Sequence, residues 1–362
     1  MIQIGIIGLT QSGKTTIFNA LAAAHAQIGG SAKSKRANVA VVKIPDDRLA
    51  PLAEMVGAAR TVNVEVEFID AAGLEKGKAK EKSGEADYMA ALRQTAAVII
   101  VIRCFKDADV PHPLGDIDPA RDAAEVETEL MLNDMILVEN RLEKLRHLLK
   151  VKPSPEYQKE QQIMEKLKNH LEAGHPLRGL ALAKEEQAQL AGFGFLSLKP
   201  ALYLLNIGED EIGAAGFMAA GIFPQLPDRC LAAAVCGKIE MELAELSESD
   251  RREFMKEIGI GEPALTGVIS RSFELLDLIC FLTANEKEAR AWAVPRGTTA
   301  YAAAGMIHSD IQRGFIKAET ISFSDLADGG SWAEARRHGK VRIEGKDYIV
   351  RDGDVIQFRF NV

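Results

Sequence analysis

Residues 8–15 read Gly8-Leu9-Thr10-Gln11-Ser12-Gly13-Lys14-Thr15, the spacing G-x-x-x-x-G-K-T. An apolar run, Ile2-Gln3-Ile4-Gly5-Ile6-Ile7, precedes it, and Thr16-Ile17-Phe18-Asn19-Ala20-Leu21 follows with helical apolar spacing. A buried strand, a glycine loop and a helix start in that order form a phosphate-binding P-loop, and commit the chain to an α/β sheet around it. An ordinary glycine-rich turn would need neither flank. Gly8 and Gly13 let successive backbone N–H groups of Gln11, Ser12, Gly13 and Thr16 turn toward phosphate oxygens, and the helix N-terminus adds its positive dipole end. Lys14 reaches the terminal phosphates, and the Thr15 hydroxyl suits Mg²⁺. Triphosphate binding is the starting expectation.

Size and charge narrow what surrounds the loop. A chain of 362 residues is long for one core, so two or three domains are expected. The net charge of −8 argues against a chain that coats nucleic acid over its whole surface, and leaves room for a local basic patch. Cys104, Cys230, Cys236 and Cys280 are widely separated in apolar segments and read as reduced core thiols without metal spacing. No charged leader precedes the first apolar run, and nothing approaches the ~20 apolar residues of a membrane span. The expectation is a cytoplasmic protein with no membrane or DNA partner.

Along the chain, residues 28–36 are small, polar and basic, as in a loop, and Val39–Ile44 reads as a strand. Val62–Ile69 reads as another strand with Val62, Val64, Val66 and Phe68 on one face, ending in Asp70. Asp70-Ala71-Ala72-Gly73 follows the P-loop in the order used by switch GTPases. Its carboxylate can hold Mg²⁺ through water, and the Gly73 N–H can approach a γ-phosphate. The charged stretch from Leu74 to Gly84 is expected to be a loop. Ala97–Ile102 is continuously apolar, the mark of a central parallel strand covered on both faces. After it, His112 stands between Pro111 and Pro113 at a strand's C-terminal end, where ligands gather, although a loop histidine is more often solvated than catalytic.

From Pro119 the period changes. Met131, Met135, Val138, Leu142, Leu145 and Leu149 form a heptad seam, Pro153-Ser154-Pro155 interrupts it, and Ile163, Leu167 and Leu171 share a face beyond. An antiparallel helical hairpin is expected, with Lys144, Arg146, His147, Lys150, Lys152 and Lys159 near its tip, placed either to meet RNA phosphates or simply to be solvated. Ala201–Leu205 is another buried strand, ending in Asn206-Ile207-Gly208-Glu209. Asn206 and Glu209 stand where switch proteins read a purine, without the lysine and aspartate of the N-K-x-D pattern, so strong guanine selection is not expected. Ala232–Val235 leads to Cys236-Gly237-Lys238, whose backbone can cover the base. Past Cys280, β-rich runs at Lys340–Ile343, Tyr348–Val350 and Val355–Phe360, with a helical stretch Ala300–Met306, read as a small β-grasp module.

Taken together these segments resemble the YchF, or Obg-like ATPase, family. The resemblance spans the chain and rests on the P-loop, Asp70–Gly77, Arg103-Cys104-Phe105, Asp118–Asp122, Asn206–Glu209, and a C-terminal region similar to a TGS domain with Arg290-Ala291-Trp292, Ala304–Asp310, Arg313–Glu319 and Asp352–Val355. It implies an α/β Ras-like domain (1–118 and 199–279) interrupted by an inserted helical hairpin (119–198) and followed by a TGS-like β-grasp domain (280–362). It implies slow ATP hydrolysis with GTP weaker or comparable, Mg²⁺ as cofactor, and association with ribosomes or RNA. Leu74 stands where a water-positioning glutamine would follow the D-x-x-G glycine, and the histidine invoked in its place falls on His112. Catalysis is thereby assigned to His112, Lys14 and Gly73, and Mg²⁺ to Thr15, Asp70 and a switch position near Ser34. Three departures accompany it: Gln11 replaces the asparagine linked to K⁺ coordination, the segment around Ser34 is basic, and the loop after Gly77 is charged rather than glycine-rich. The altered loops keep open a second reading, an ATP-sensing module that docks on ribosomes without hydrolysis.

Overall fold

The computed structural model describes residues 2–24, 38–70 and 83–361. Among them lie strands β1 (Ile2–Ile7), β2 (Asn38–Ile44), β3 (Thr61–Val62), β4 (Val64–Asp70), β5 (Ala97–Arg103), β6 (Ala201–Asn206), β7 (Cys230–Val235), β8 (Leu278–Ala284), β9 (Ala289–Pro295), β10 (Phe315–Ser322), β11 (Arg342–Glu344) and β12 (Asp354–Phe360). The first five helices are α1 (Lys14–Ala24), α2 (Leu49–Val56), α3 (Ser83–Gln94), α4 (Pro119–Val151) and α5 (Pro155–Glu172). The chain divides into two compact units, residues 1–42 with 67–275, and residues 43–66 with 276–362.

The first unit is built on a sheet of order β2-β4-β1-β5-β6-β7. β1, β5, β6 and β7 are parallel, with Ile7 opposite Ile100, Ile102 opposite Leu205 and Leu205 opposite Ala234. Every residue of β5 is buried, as its unbroken apolar run requires of a strand flanked on both edges and covered on both faces. Because the four strands run the same way and nearly in register, their C-terminal ends bring Gly8, Cys104, Asn206 and Cys236 to one rim, the place where open α/β sheets bind ligands.

The hairpin forms where the heptad predicts it. Asp118 caps α4 by accepting from the Arg121 N–H, with Pro119 at the first helical position. Ser154 caps α5 in the same way, again with a proline next. Val138, Leu142 and Leu145 pack on Ile163, Met164, Leu167 and Leu171, while Met131 and Met135 lie at the edge of that core. The base of α4 is bolted down by buried polar groups. Asp134 accepts from the N–H groups of Leu196 (2.9 Å) and Ser197 (2.7 Å) and from Ser197 Oγ (2.8 Å). Glu127 accepts from Tyr203 Oη at 2.8 Å and pairs with Arg178.

The second unit holds a mixed sheet of order β11-β10-β12-β8-β9-β3. Its core gathers Ile279, Phe281, Val294, Phe315, Val350 and Ile356 against Ala300, Ala303 and Ala304 of the helix Ala300–Ile307.

Two expectations change here. The strand expected over 62–69 breaks at Asn63: β3 pairs in parallel with β9 (Thr61 opposite Ala289), whereas β4 lies between β2 and β1 with Val64, Val66 and Phe68 inward. Tyr348–Val350 is not a strand but makes one antiparallel bridge, Ile349 to Thr299, which stops where Ala300 opens a helix. The Tyr348 carbonyl accepts from Ala300 N–H, and its hydroxyl donates to Asp354 at 2.7 Å. Among the described residues, no helix is long and apolar enough to cross a membrane.

Candidate nucleotide site

The loop between β1 and α1 has the backbone its sequence demands. Gly8 and Gly13 have φ of 155° and 89°, and Gln11 sits at 62°. A Cβ on Gly8 would lie 2.4 Å from the Val101 carbonyl oxygen, and one on Gly13 would lie 2.1 Å from Asn206 Nδ2, so glycine is required at both positions for close approach as well as for φ. Lys14 is buried, and its Nζ folds back to donate to the Leu9 carbonyl at 2.6 Å. Burial pushes its pKa down to about 8, with nearby Asp70 partly offsetting the shift. Ser12 is buried too, and its Oγ has no hydrogen-bond partner among the described residues, an orphan inside the loop that a ligand would satisfy.

Asn206 ties the rim together. Its Nδ2 donates to the Ser12 carbonyl (3.0 Å) and its Oδ1 accepts from the Gly237 N–H (3.0 Å), so one amide links the P-loop to the start of the helix Gly237–Glu245. A cavity of about 940 Å³ opens beside it. Gln11, Gly13 and Thr16 line one end, Cys104 to Asp107 and Val110 one wall, and Asn206 to Glu211 with Cys236, Lys238 and Met241 the other. At the far end the Glu209 carboxylate is paired with Lys238 Nζ at 2.6 Å.

Gln11, Gly13, Thr16, Asn206, Glu209, Cys236 and Lys238 line the cavity; Gly8, Ser12, Lys14, Thr15 and Gly237 belong to the same loops without forming its wall. Thr15 Oγ1 lies 3.4 Å from Asp70 Oδ2, which brings a hydroxyl and a carboxylate together as a pair of hard oxygen donors of the kind Mg²⁺ takes. Gly73 and Ser34 lie outside the described residues. His112 is not among the residues lining the cavity. Its side chain is only 4% exposed, held by Asp122.

Sequence reasoning passed over Arg103 as a site residue. Its buried guanidinium donates to the carbonyls of Phe105 (3.2 Å) and Val110 (2.7 Å) and lies 4.5 Å from the Phe105 ring centroid, shaping the loop that forms one cavity wall. A cation closing an otherwise apolar central strand was the available signal. Glu211, which accepts from Gly208 N–H at 2.9 Å, had none.

Comparison with known proteins bears on this arrangement directly. Residues 3–141 match a family model described as 50S ribosome-binding GTPase, and residues 278–361 match the C-terminal model of the YchF GTPases, described as a protein of unknown function. The chain is 39% identical over 373 residues to the "Ribosome-binding ATPase YchF" of Bacillus subtilis strain 168, with 99% of each covered. The chain belongs to the YchF family. The Escherichia coli O157:H7 member is likewise 39% identical over 361 residues, again with 99% of each covered. Among solved structures, the Schizosaccharomyces pombe YchF GTPase superposes with a TM-score of 0.84 at 27% identity, covering 99% of this chain and 97% of that one. The α/β P-loop architecture with helical insertion and C-terminal mixed sheet is therefore a family property.

Proposed function

We propose that this chain is a nucleotide switch that binds and slowly hydrolyses ATP and engages ribosomes. The observation that carries the reading is the P-loop rim: Gln11, Gly13 and Thr16 of the Asn206-braced loop line a cavity of nucleoside-triphosphate size, and the same loop holds Lys14 and the unsatisfied Ser12 hydroxyl. The names of its YchF relatives, ribosome-binding ATPases, support the same activity and partner.

ATP fits the base end better than GTP. Guanine is held elsewhere by a carboxylate free to accept from N1–H and the exocyclic amine. Here Ile207 and Glu209 stand in place of the lysine and aspartate of the N-K-x-D pattern, Glu209 pairs with Lys238, and both Asn206 side-chain groups serve the protein, so the usual guanine-reading set is missing.

In hydrolysis, Lys14 neutralises charge on the transferring phosphoryl, the Gly73 N–H contacts its oxygens, and His112 orients the attacking water. Thr15 and Asp70, with a switch residue near Ser34, would hold Mg²⁺, which would supply neutralisation of phosphate charge. The residues from 119 to 198 act as an inserted module and the C-terminal unit as a second contact. The hairpin tip from Glu143 to Lys159 carries Lys144, Arg146, Lys150, Lys152 and Lys159, none ion-paired among the described residues, in a chain of net charge −8. Such a tip suits ribosomal RNA phosphates.

Titration calorimetry with ATP and GTP in Mg²⁺ tests the base-reading claim. ATP affinity at least equal to GTP affinity is expected, and a clear preference for GTP would sink it.

A further inference from the structure

The hydrolytic scheme needs a free ring nitrogen of His112 to orient water, yet His112 is not among the residues lining the cavity and both its nitrogens are already hydrogen-bonded within the protein. Nδ1 accepts from the Leu114 N–H at 3.2 Å, which leaves Nε2 as the protonated nitrogen, donating to Asp122 Oδ2 at 2.8 Å. The Gly115 N–H closes the loop onto the His112 carbonyl at 3.1 Å, and Gly115 takes a φ of 89° that lets this turn form behind Pro113.

Asp122 divides its two oxygens between His112 and Arg121. It lies in the first turn of α4, but the capping of that helix is already done by Asp118. Its Oδ1 takes Nε (3.1 Å) and Nη2 (2.8 Å) of Arg121, and Arg121 Nη2 also reaches the Asp116 carbonyl at 2.7 Å. The carboxylate is 4% exposed and would be costly to leave unpaired, but Arg121 keeps it neutralised whether or not His112 is present. The imidazole can therefore leave without stranding a buried charge, which is the property of a catch and not of a permanent strut.

We infer that Asp122 is a positioning residue for His112: it keeps the Nε2–H engaged and the ring unable to orient water, and ATP turnover requires this contact to open. The inference rests on the reading that His112 orients the water. Turnover of the free chain is slow because only the fraction of molecules with the ring released is competent.

Steady-state ATP hydrolysis by the full chain tests it with Asp122→Ala, Arg121→Gln, His112→Ala and the double variant Asp122→Ala/His112→Ala. Asp122→Ala is expected to raise kcat on the order of tenfold, about the worth of one charge-assisted hydrogen bond, with KM unchanged. The double variant should drop to the level of His112→Ala. Arg121→Gln should lower kcat, because the carboxylate then depends on His112 as its partner; a merely structural role would impair both single variants alike. Should Asp122→Ala fold poorly, the isosteric Asp122→Asn carries the same upward direction in smaller measure. With His112→Ala slow, an Asp122 variant no faster than wild type overturns the inference. Hydrolysis by His112→Ala at the wild-type rate instead removes the role assigned to the histidine itself.

Discussion

Lys14 shows how burial and function oppose each other at a single side chain. Its ammonium sits in a desolvated loop, so in the free chain it titrates near pH 8, below the ordinary 10.5. The depressed value means the charged form is disfavoured in the apo fold, a penalty present below pH 8 and relieved as pH rises toward 10.5. Phosphate oxygens favour the charged form, so binding raises the pKa and takes up a proton wherever Lys14 was neutral. ATP affinity is therefore expected to fall as pH rises above 8, by up to about tenfold per pH unit, with proton uptake visible as a buffer-dependent calorimetric enthalpy. Affinity that stays flat between pH 7.5 and about 9.5 would show that Lys14 does not titrate there. Little of this was legible beforehand: the motif names the lysine, but its carbonyl contact to Leu9 and its burial arise from the surrounding rim. The same holds for His112, whose prolines announce a loop and whose engagement with Asp122, ten residues on, follows no periodic signal.

At the scale of elements, legibility followed the length of the pattern. The unbroken apolar run of β5 and the seam of α4 and α5 are long, locally periodic and flanked by proline and capping residues, and both appear as expected. β3 is two residues long and finds its partner in β9, more than two hundred residues later, so no local pattern could announce it. Tyr348–Val350 has strand composition, but its pairing with residues 298–300 ends after one bridge because Ala300 begins a helix. The buried carboxylate of Asp134 was equally silent in the sequence, yet it carries the attachment of the hairpin. Asp134→Ala removes the acceptor for Leu196 N–H, Ser197 N–H and Ser197 Oγ and leaves those donors buried. A loss of about 3–5 kcal/mol in urea unfolding is expected. A change below about 1 kcal/mol would mean the joint holds by apolar packing alone.

For the whole molecule, a phosphate loop, a cavity rim without the lysine and aspartate of the N-K-x-D pattern, and a basic hairpin tip on an acidic chain belong to one ATP-driven, ribosome-associated switch. The second reading, ATP sensing without turnover, shares the binding chemistry and differs only in whether the bound triphosphate is cleaved. Binding measurements alone therefore leave the two readings level. The deciding measurement is phosphate release from ATP by the purified full chain, with and without ribosomes, against Lys14→Ala. Slow release by the wild type, accelerated by ribosomes and abolished in Lys14→Ala, is the predicted result. ATP that binds the wild type but is never cleaved, with or without ribosomes, would contradict it.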